Sequence, residues 1–360
     1  MVSTTNVSSE DGTTITGHEV HLVSYPRGEV RASDFRIVEV ELPALCTGQV
    51  LVRNTWMSLD PGLRLRLRAK SLEGYWDALP LGTAFTDVMT VGEVVASRAG
   101  VFVPGDTVSH GSGWRDYAIV EAGKTASGGI GTLRRIDTSV APSRAYLGVL
   151  GATGLTAYAG MMRVAQLRPG DVVWVSAAAG AIGGLAAQLA KLRGHRVIGS
   201  AGSDDKVSYL LGELGLDAAF NYRAGSLIDR LRDAAPDGID VYFDNVGGDH
   251  LEAAIDALRP HGRVATCRTI SDYESQPPGP RNIFLAVSKE LTIRGFRGNT
   301  HVELMPELWR EVGAWLREGR IRYRETIVDG LQNAPIAMAQ IMRGDTIGKT
   351  LVRIAEGGRS

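Results

Sequence analysis

The sequence predicts an α/β chain of two parts, a twisted β domain and a doubly wound parallel-sheet domain. Three observations lead there. The chain has 360 residues, enough for two domains at roughly 150 residues each. Short apolar runs broken by turn residues fill the first third. Strands and helices then alternate over residues 172–316, and a glycine-bearing turn joins the first of those strands to its helix.

Composition narrows the class further. The hydrophobic set is 44% and charged residues are 22%, within the range of globular proteins, so wholesale disorder is excluded. A net charge of -1 gives no bulk attraction for nucleic acid, and no nucleic-acid partner is expected. Glycine is abundant, 44 residues of 360, which points to tight turns and close backbone approaches. The two cysteines, Cys46 and Cys267, form no C-x-x-C pair. Neither a disulfide framework nor a cysteine zinc lobe follows, and a reducing, cytoplasmic setting is expected. The N-terminus carries no basic-then-apolar leader, and residues 1–17 read as a disordered polar extension. Residues 172–190 carry no charge, but Gly180, Gly183 and Gly184 punctuate them. They read as strand, turn and helix, so no membrane partner is expected.

Taken in order, residues 18–145 read as short strands, such as 50–52, 91–95 and 107–108, with Pro104-Gly105-Asp106 as a turn. Helical spacing begins at 146 and runs to 162. Strands follow at 172–176, 196–200, 218–221, 241–244 and 263–266. Helices separate them at 182–192, 204–212, 227–232 and 251–258. A strand at 291–296 and a helix at 303–316 complete the series. Such alternation requires right-handed crossovers and a parallel sheet covered on both faces. This second domain spans 146–324. The tail, 325–360, reads as strand, helix (334–342) and strand (350–354), and is expected to rejoin the first domain.

The turn Ala178-Ala179-Gly180-Ala181-Ile182-Gly183 stands where a dinucleotide fingerprint belongs. Gly180 lets backbone approach a pyrophosphate, and Gly183 lets helix and strand pack closely. Ala178 takes the place of the usual first glycine. NAD enzymes place an acid at the end of the second strand to hold the ribose 2′-hydroxyl. Here that strand ends Ile198-Gly199-Ser200-Ala201-Gly202. Asp204 and Asp205 read instead as the start of the next helix. With Lys206 just beyond and Tyr222-Arg223 after the third strand, the site fits a 2′-phosphate, hence NADP(H).

Other strings carry less. Residues 344–350 resemble a P-loop but are one residue short and lead from helix to strand, the reverse of the required order. Gly17-His18-Glu19 precedes any candidate zinc cysteine, and no metal site is expected. Arg64, Arg66, Arg68 and Lys70 read as a solvated face. Trp56, Trp76 and Trp114 could line an apolar pocket, though packing is the commoner fate of each.

A family resemblance rests on several strings: Ser58-Leu59-Asp60-Pro61, Gly154-Leu155-Thr156-Ala157-Tyr158, 175–184, 201–207, Phe220-Asn221-Tyr222, Tyr242-Phe243-Asp244-Asn245-Val246-Gly247-Gly248 and Gly348-Lys349-Thr350. Together they resemble the zinc-independent medium-chain reductases, and within them the prostaglandin reductase and alkenal double-bond reductase group, which includes curcumin reductase. The resemblance implies a GroES-like β domain and a Rossmann domain. It also implies NADPH-dependent reduction of the C=C bond of an enone or enal substrate, in a cytosolic homodimer. Carried over by position, Gly180, Ala181, Ile182 and Gly183 look like the pyrophosphate turn, and Lys206 and Tyr222 like the adenosine-phosphate contacts. Asn245 matches a cofactor-contacting asparagine. Cys267, Ile270, Ser271 and Tyr273 fall on the loop along the nicotinamide ribose. Phe296, Arg297 and Gly298 fall on the segment over the nicotinamide. Thr346 stands where the family has the asparagine of Gly-Asp-Asn. Gly62 replaces a tyrosine and Ser288 an aromatic, both substrate-side departures. Tyr273 is the candidate catalytic donor, either to the substrate oxyanion or to the ribose hydroxyl that orients it. Two other readings share the residues: a quinone or acrylyl-CoA type reductase, and an NADPH-binding protein without catalysis. The strand at 291–296, apolar at alternate positions, would leave an open edge unless a two-fold mate paired with it.

Overall fold

The computed structural model describes residues 15–124, 129–267 and 279–355. It divides into two units, one of residues 1–147, 326–345 and 350–360, the other of residues 148–325 and 346–349.

The first unit opens with β1 (Thr16–Leu22), paired antiparallel along its length with β2 (Phe35–Glu41). Thr16 and Gly17 therefore lie in a sheet, which corrects the expectation that the extension runs to residue 17. The cause is local. Gly17 pairs with Val40, and a Cβ on it would lie 2.9 Å from the Asp116 carboxylate. β3 (Gln49–Leu59), β4 (Thr90–Ser97), β5 (Thr107–His110), β6 (Tyr117–Glu121) and β7 (Arg134–Arg135) follow. Their core gathers Leu22, Met57, Leu59, Phe85 and Trp114. Trp114 is fully buried between Phe35 and Phe85, with ring centroids 5.2 and 4.7 Å away, so its role is packing.

Arg64 and Arg66 depart from the solvated face expected of them, for both are buried. The 3-10 turn Pro61–Arg66 aims them at two irregular stretches, 23–31 and 67–89. Arg66 donates to the carbonyls of Asp77 (3.0 Å) and Thr86. Arg64 donates to those of Gly28 (3.1 Å) and Leu67 (3.3 Å). A stretch without ladder partners leaves carbonyls that need donors, and guanidinium groups supply them.

In the second unit, α1 (Ala152–Ala159) starts later than the spacing suggests, because the glycines at 148 and 151 interrupt the run. Alternation then holds: β8 (Val172–Val175), α2 (Ala181–Leu192), β9 (Arg196–Ala201), α3 (Asp204–Gly212), β10 (Ala218–Asn221), α4 (Leu227–Ala234), β11 (Ile239–Asp244), α5 (Gly248–Ala257), β12 (Leu258–Thr266), α6 (Phe284–Ser288), β13 (Thr292–Gly295) and α7 (Met305–Arg317). The six strands pair in parallel in the order β10-β9-β8-β11-β12-β13. This is the doubly wound order, and it reverses direction between β8 and β11. Trp174, Ile198, Phe220 and Tyr242 anchor one face of the sheet, with Trp174 stacked 4.4 Å from Tyr242.

The chain then forms β14 (Glu325–Asp329), α8 (Ala334–Arg343) and β15 (Lys349–Arg353). Pro335 at the start of α8 and left-handed Gly344 at its end mark its limits. β15 joins the first unit's sheet antiparallel to β3, giving the order β14-β15-β3-β4-β5-β7, with β6 also on β3.

Candidate active site

The carboxyl ends of β8 and β11 mark the switch point, where a ligand crevice opens in such sheets. After β8 the chain turns through Ala177, which takes a left-handed φ of 47°. Gly180 caps α2 in extended conformation. A Cβ on Gly183 would lie 2.5 Å from the Ala177 carbonyl oxygen, so only glycine lets the helix approach the turn this closely. Ala181, Ile182 and Gly183 thus form a helix first turn whose amides have no intrahelical acceptors and carry the positive end of the helix dipole.

A strap from the far end of the chain lies against this turn. The Gly348 amide donates to the Ala179 carbonyl at 2.8 Å, and Gly348 bridges Gly180 in parallel. Gly348 has φ 72°, and a Cβ there would sit 1.9 Å from the Arg324 carbonyl oxygen. Half-buried Thr346 belongs to the same strap. A cavity of about 20 Å³ borders the turn, lined by Gly180, Gly184, Gln188, Tyr209 and Lys349 among others. It has room for a water molecule and no more.

The next strand end carries no acid. The Ser203 side chain caps α3 at the Lys206 amide (3.4 Å), and Asp204 accepts from Asn221 Nδ2 at 2.9 Å. Asp204 is thereby committed to the α3–β10 junction, as its place at a helix start suggests. Lys206 is half-buried in the first turn of α3. Tyr222 follows β10, its ring meeting His250 edge-on at 4.8 Å.

At the ends of β11 and β12 a buried network forms. Asn245 Nδ2 donates to the Ser176 carbonyl at 2.7 Å, and the Asn245 amide donates to Ser176 Oγ at 3.0 Å. Cys267 Sγ donates to Asn245 Oδ1 at 3.1 Å. Asn245 therefore braces the ends of β8 and β12, with one amide proton left for a ligand. Asp244 accepts from the amides of Val246 (3.0 Å) and Gly247 (2.8 Å) and from the Tyr242 hydroxyl (2.8 Å). Burial raises the Asp244 carboxyl above the usual range, and those amide bonds partly counter it. Phe296 packs edge-on to Phe243 at 6.2 Å, and Gly298 sits so close to Thr156 that a Cβ would be 2.2 Å from its hydroxyl oxygen. Arg297 is exposed between them. Ile270, Ser271 and Tyr273 lie outside the described residues.

Three residues have roles that the sequence did not assign. Ser176 follows β8 and holds Asn245, Asp244 holds the turn after β11, and Gly348 holds the turn before α2. Asp244 stood in plain view in the Asp-Asn-Val-Gly-Gly string. The role of Gly348 had no local signal, because its partner lies far away in the chain. Gly62 is buried in the 3-10 turn, and Ser288 is exposed at the end of α6. Ser58 is buried and donates to Asp60. Among the described residues no three His, Cys, Asp or Glu side chains gather to hold a metal.

An antiparallel sheet unit together with a doubly wound unit that has a glycine-bearing turn at its switch point is the architecture of a two-domain dinucleotide-binding protein. Residues 18–127 match the family described as the N-terminal domain of oxidoreductase, and residues 181–317 the one described as zinc-binding dehydrogenase. A 2-alkenal reductase (NADP(+)-dependent) of Nicotiana tabacum is 35% identical over 95% of this chain and 98% of its own length. Prostaglandin reductase 1 of Bos taurus is 37% identical over 92% and 96% respectively. The crystal structure of CurA from Vibrio vulnificus in complex with NADPH superposes with a TM-score of 0.86 at 32% identity, covering 94% of this chain and 99% of that one. The chain belongs to the zinc-independent alkenal and double-bond reductase group of the medium-chain dehydrogenase/reductase family.

Proposed function

We propose that the protein uses NADPH to reduce the C=C bond of α,β-unsaturated ketones and aldehydes. The observation that carries this reading is the end-to-end likeness to a protein named as an NADP(+)-dependent 2-alkenal reductase. The site fits the cofactor. The α2 first turn presents amides for a pyrophosphate, Gly183 keeps the turn tight, and the second strand ends without an acid that would repel a 2′-phosphate.

When bound, NADPH would supply the hydride that adds to the β-carbon, and a proton taken up from solvent at the α-carbon completes the saturated product. Gly180, Ala181, Ile182 and Gly183 meet the pyrophosphate charge. Lys206 and Tyr222 take the 2′-phosphate. Asn245, held by Ser176 and Cys267, offers its remaining amide proton, and Phe296 and Gly298 shape the nicotinamide end. Negative charge develops on the substrate carbonyl oxygen, and in a dry site it requires a hydrogen-bond donor. Tyr273, which follows β12 in the sequence, fills that role directly or by orienting the ribose hydroxyl. Residues 18–145 with 325–360 provide the substrate domain, and 146–324 the NADP(H) domain.

Two surface features support a homodimer. β13 is an edge strand exposed along its length, and nearby α6 leaves Phe284 74% and Val287 70% exposed. Two-fold pairing would close that edge. Cys46 and Cys267 form no disulfide, in keeping with the reducing, cytoplasmic setting proposed here. Among the described residues no helix is long and apolar enough to cross a membrane.

The test is NADPH oxidation against an enone, a quinone and an enoyl thioester of coenzyme A. Turnover led by the enone is expected. Turnover on the quinone or thioester alone would replace this reading with the reductase alternatives, and tight NADPH binding with no turnover would make the protein a binder.

A further inference from the structure

We infer that Arg223 is a specificity-determining residue that reads the 2′-phosphate of the cofactor through a guanidinium fixed on the Tyr222 ring. The inference rests on the NADPH reading above and deepens it. A ladder of rings runs out from the core of the second unit. Trp174 is fully buried and stacks on His250 at 5.9 Å. His250 meets Tyr222 edge-on at 4.8 Å. The Arg223 guanidinium caps the ladder, 5.6 Å from the Tyr222 ring centroid. An exposed arginine ordinarily samples many rotamers. One lying on an aromatic face has given up part of that freedom before any ligand arrives.

Where the ladder ends is decisive. A Cβ on Gly202 would lie 3.1 Å from the Tyr222 hydroxyl and 3.4 Å from both Cζ and Nε of Arg223. Hydroxyl and guanidinium thus converge on the residue just past the end of β9, where a dinucleotide fold places its ribose 2′-position. A side chain at 202 would fill that space, and glycine leaves it open. Among the described residues the Arg223 guanidinium has no carboxylate or carbonyl partner, unlike Arg230, which donates to Ala224, or Arg196, which donates to Ala234. Asp204 is taken up by Asn221. A planar fork with free donors beside a hydroxyl donor matches a phosphomonoester, which accepts two parallel hydrogen bonds from such a group. A lysine ammonium is a point charge and cannot reproduce the fork.

The experiment measures calorimetric binding of two cofactor fragments, adenosine 2′,5′-bisphosphate and 5′-AMP, to the wild type and to Arg223→Ala, Arg223→Lys and Lys206→Ala. Arg223→Ala should weaken the bisphosphate by about tenfold or more, the scale of a charge-assisted pair, and leave 5′-AMP unchanged. Arg223→Lys should recover only part of the loss. Unchanged bisphosphate affinity in Arg223→Ala, with the wild type still preferring the bisphosphate and Lys206→Ala weakened, would overturn the role of Arg223 and leave the NADPH reading standing. Equal loss of both fragments would make Arg223 a structural residue. A wild type that does not distinguish the fragments would overturn the NADPH reading and this inference with it.

Discussion

At the scale of single residues, the site is a set of polar groups held by other polar groups. Asn245 presents one proton because Ser176 and Cys267 occupy the rest of its amide. What the sequence made legible here is chemistry that depends on backbone: a glycine where helix meets turn at Gly183, and aspartates that start a helix at Asp204 and Asp205. What it hid is the partner of each polar group. Ser176 looks like any serine until the fold brings Asn245 back to it. Tyr273 is tested most simply by removing its hydroxyl. Tyr273→Phe is expected to lower kcat on an enone at least about tenfold, the low side of what losing one oxyanion donor costs, with NADPH affinity little changed. Steady-state kinetics beside a binding titration checks this, and a variant turning over at the wild-type rate would remove Tyr273 from the mechanism.

At the scale of elements, periodicity located the strands and helices because each buries a face or both faces of one sheet. Residues 204–212 and 218–221 form α3 and β10 at the boundaries the pattern suggests. The pattern failed where packing is by hydrogen bonds. Arg64 and Arg66 look like solvated charge and are buried staples for irregular stretches. The strap at Gly348 is a second such case, since its string resembles an anion loop and instead braces one. Gly348→Ala forces a left-handed alanine and a Cβ into the Arg324 carbonyl. About 2 kcal/mol or more of stability should be lost, lowering Tm by roughly 4–8 °C for a unit of this size. Calorimetry showing a wild-type Tm would mean the strap yields without cost. The exposed face of α6 makes a separate prediction. Phe284→Glu places a charge at the centre of the proposed dimer face and should give a monomer by light scattering at micromolar concentration, with the fold intact by circular dichroism. A wild type already monomeric there would end the dimer proposal.

At the scale of the whole molecule, the fold class was legible because strand and helix alternate over residues 172–316, which calls for right-handed crossovers and a parallel sheet; the strand order was not. The acid response of the molecule was not legible, since it depends on burial. His110 is fully buried. Its Nδ1 accepts from the Ser112 amide (3.1 Å), so its Nε2 donates to Asn54 Oδ1 (2.9 Å), and burial lowers its pKa to about 3. Burial lowers that of His250 to about 4. Both folded values lie below the ordinary histidine range, so below pH ~6.5 the unfolded chain takes up protons that the fold refuses. Their contribution to stability is complete above that range and falls with pH, by about 1.4 kcal/mol per unit for each histidine. The raised carboxyl of Asp244 works the other way. It favours the fold at low pH and is lost as pH rises through its folded value, so it offsets part of the effect. Unfolding midpoints measured from pH 7 to pH 5 should fall, and a flat profile would contradict the buried, neutral histidines.

In the proposed reaction hydride reaches a carbon–carbon double bond and leaves the carbonyl in place. Reducing an enone with NADPH deuterated at the transferring C4 position, and locating the label by NMR, tests this. A saturated ketone with deuterium on the β-carbon is expected. Deuterium on the carbonyl carbon of an allylic alcohol would contradict the proposal.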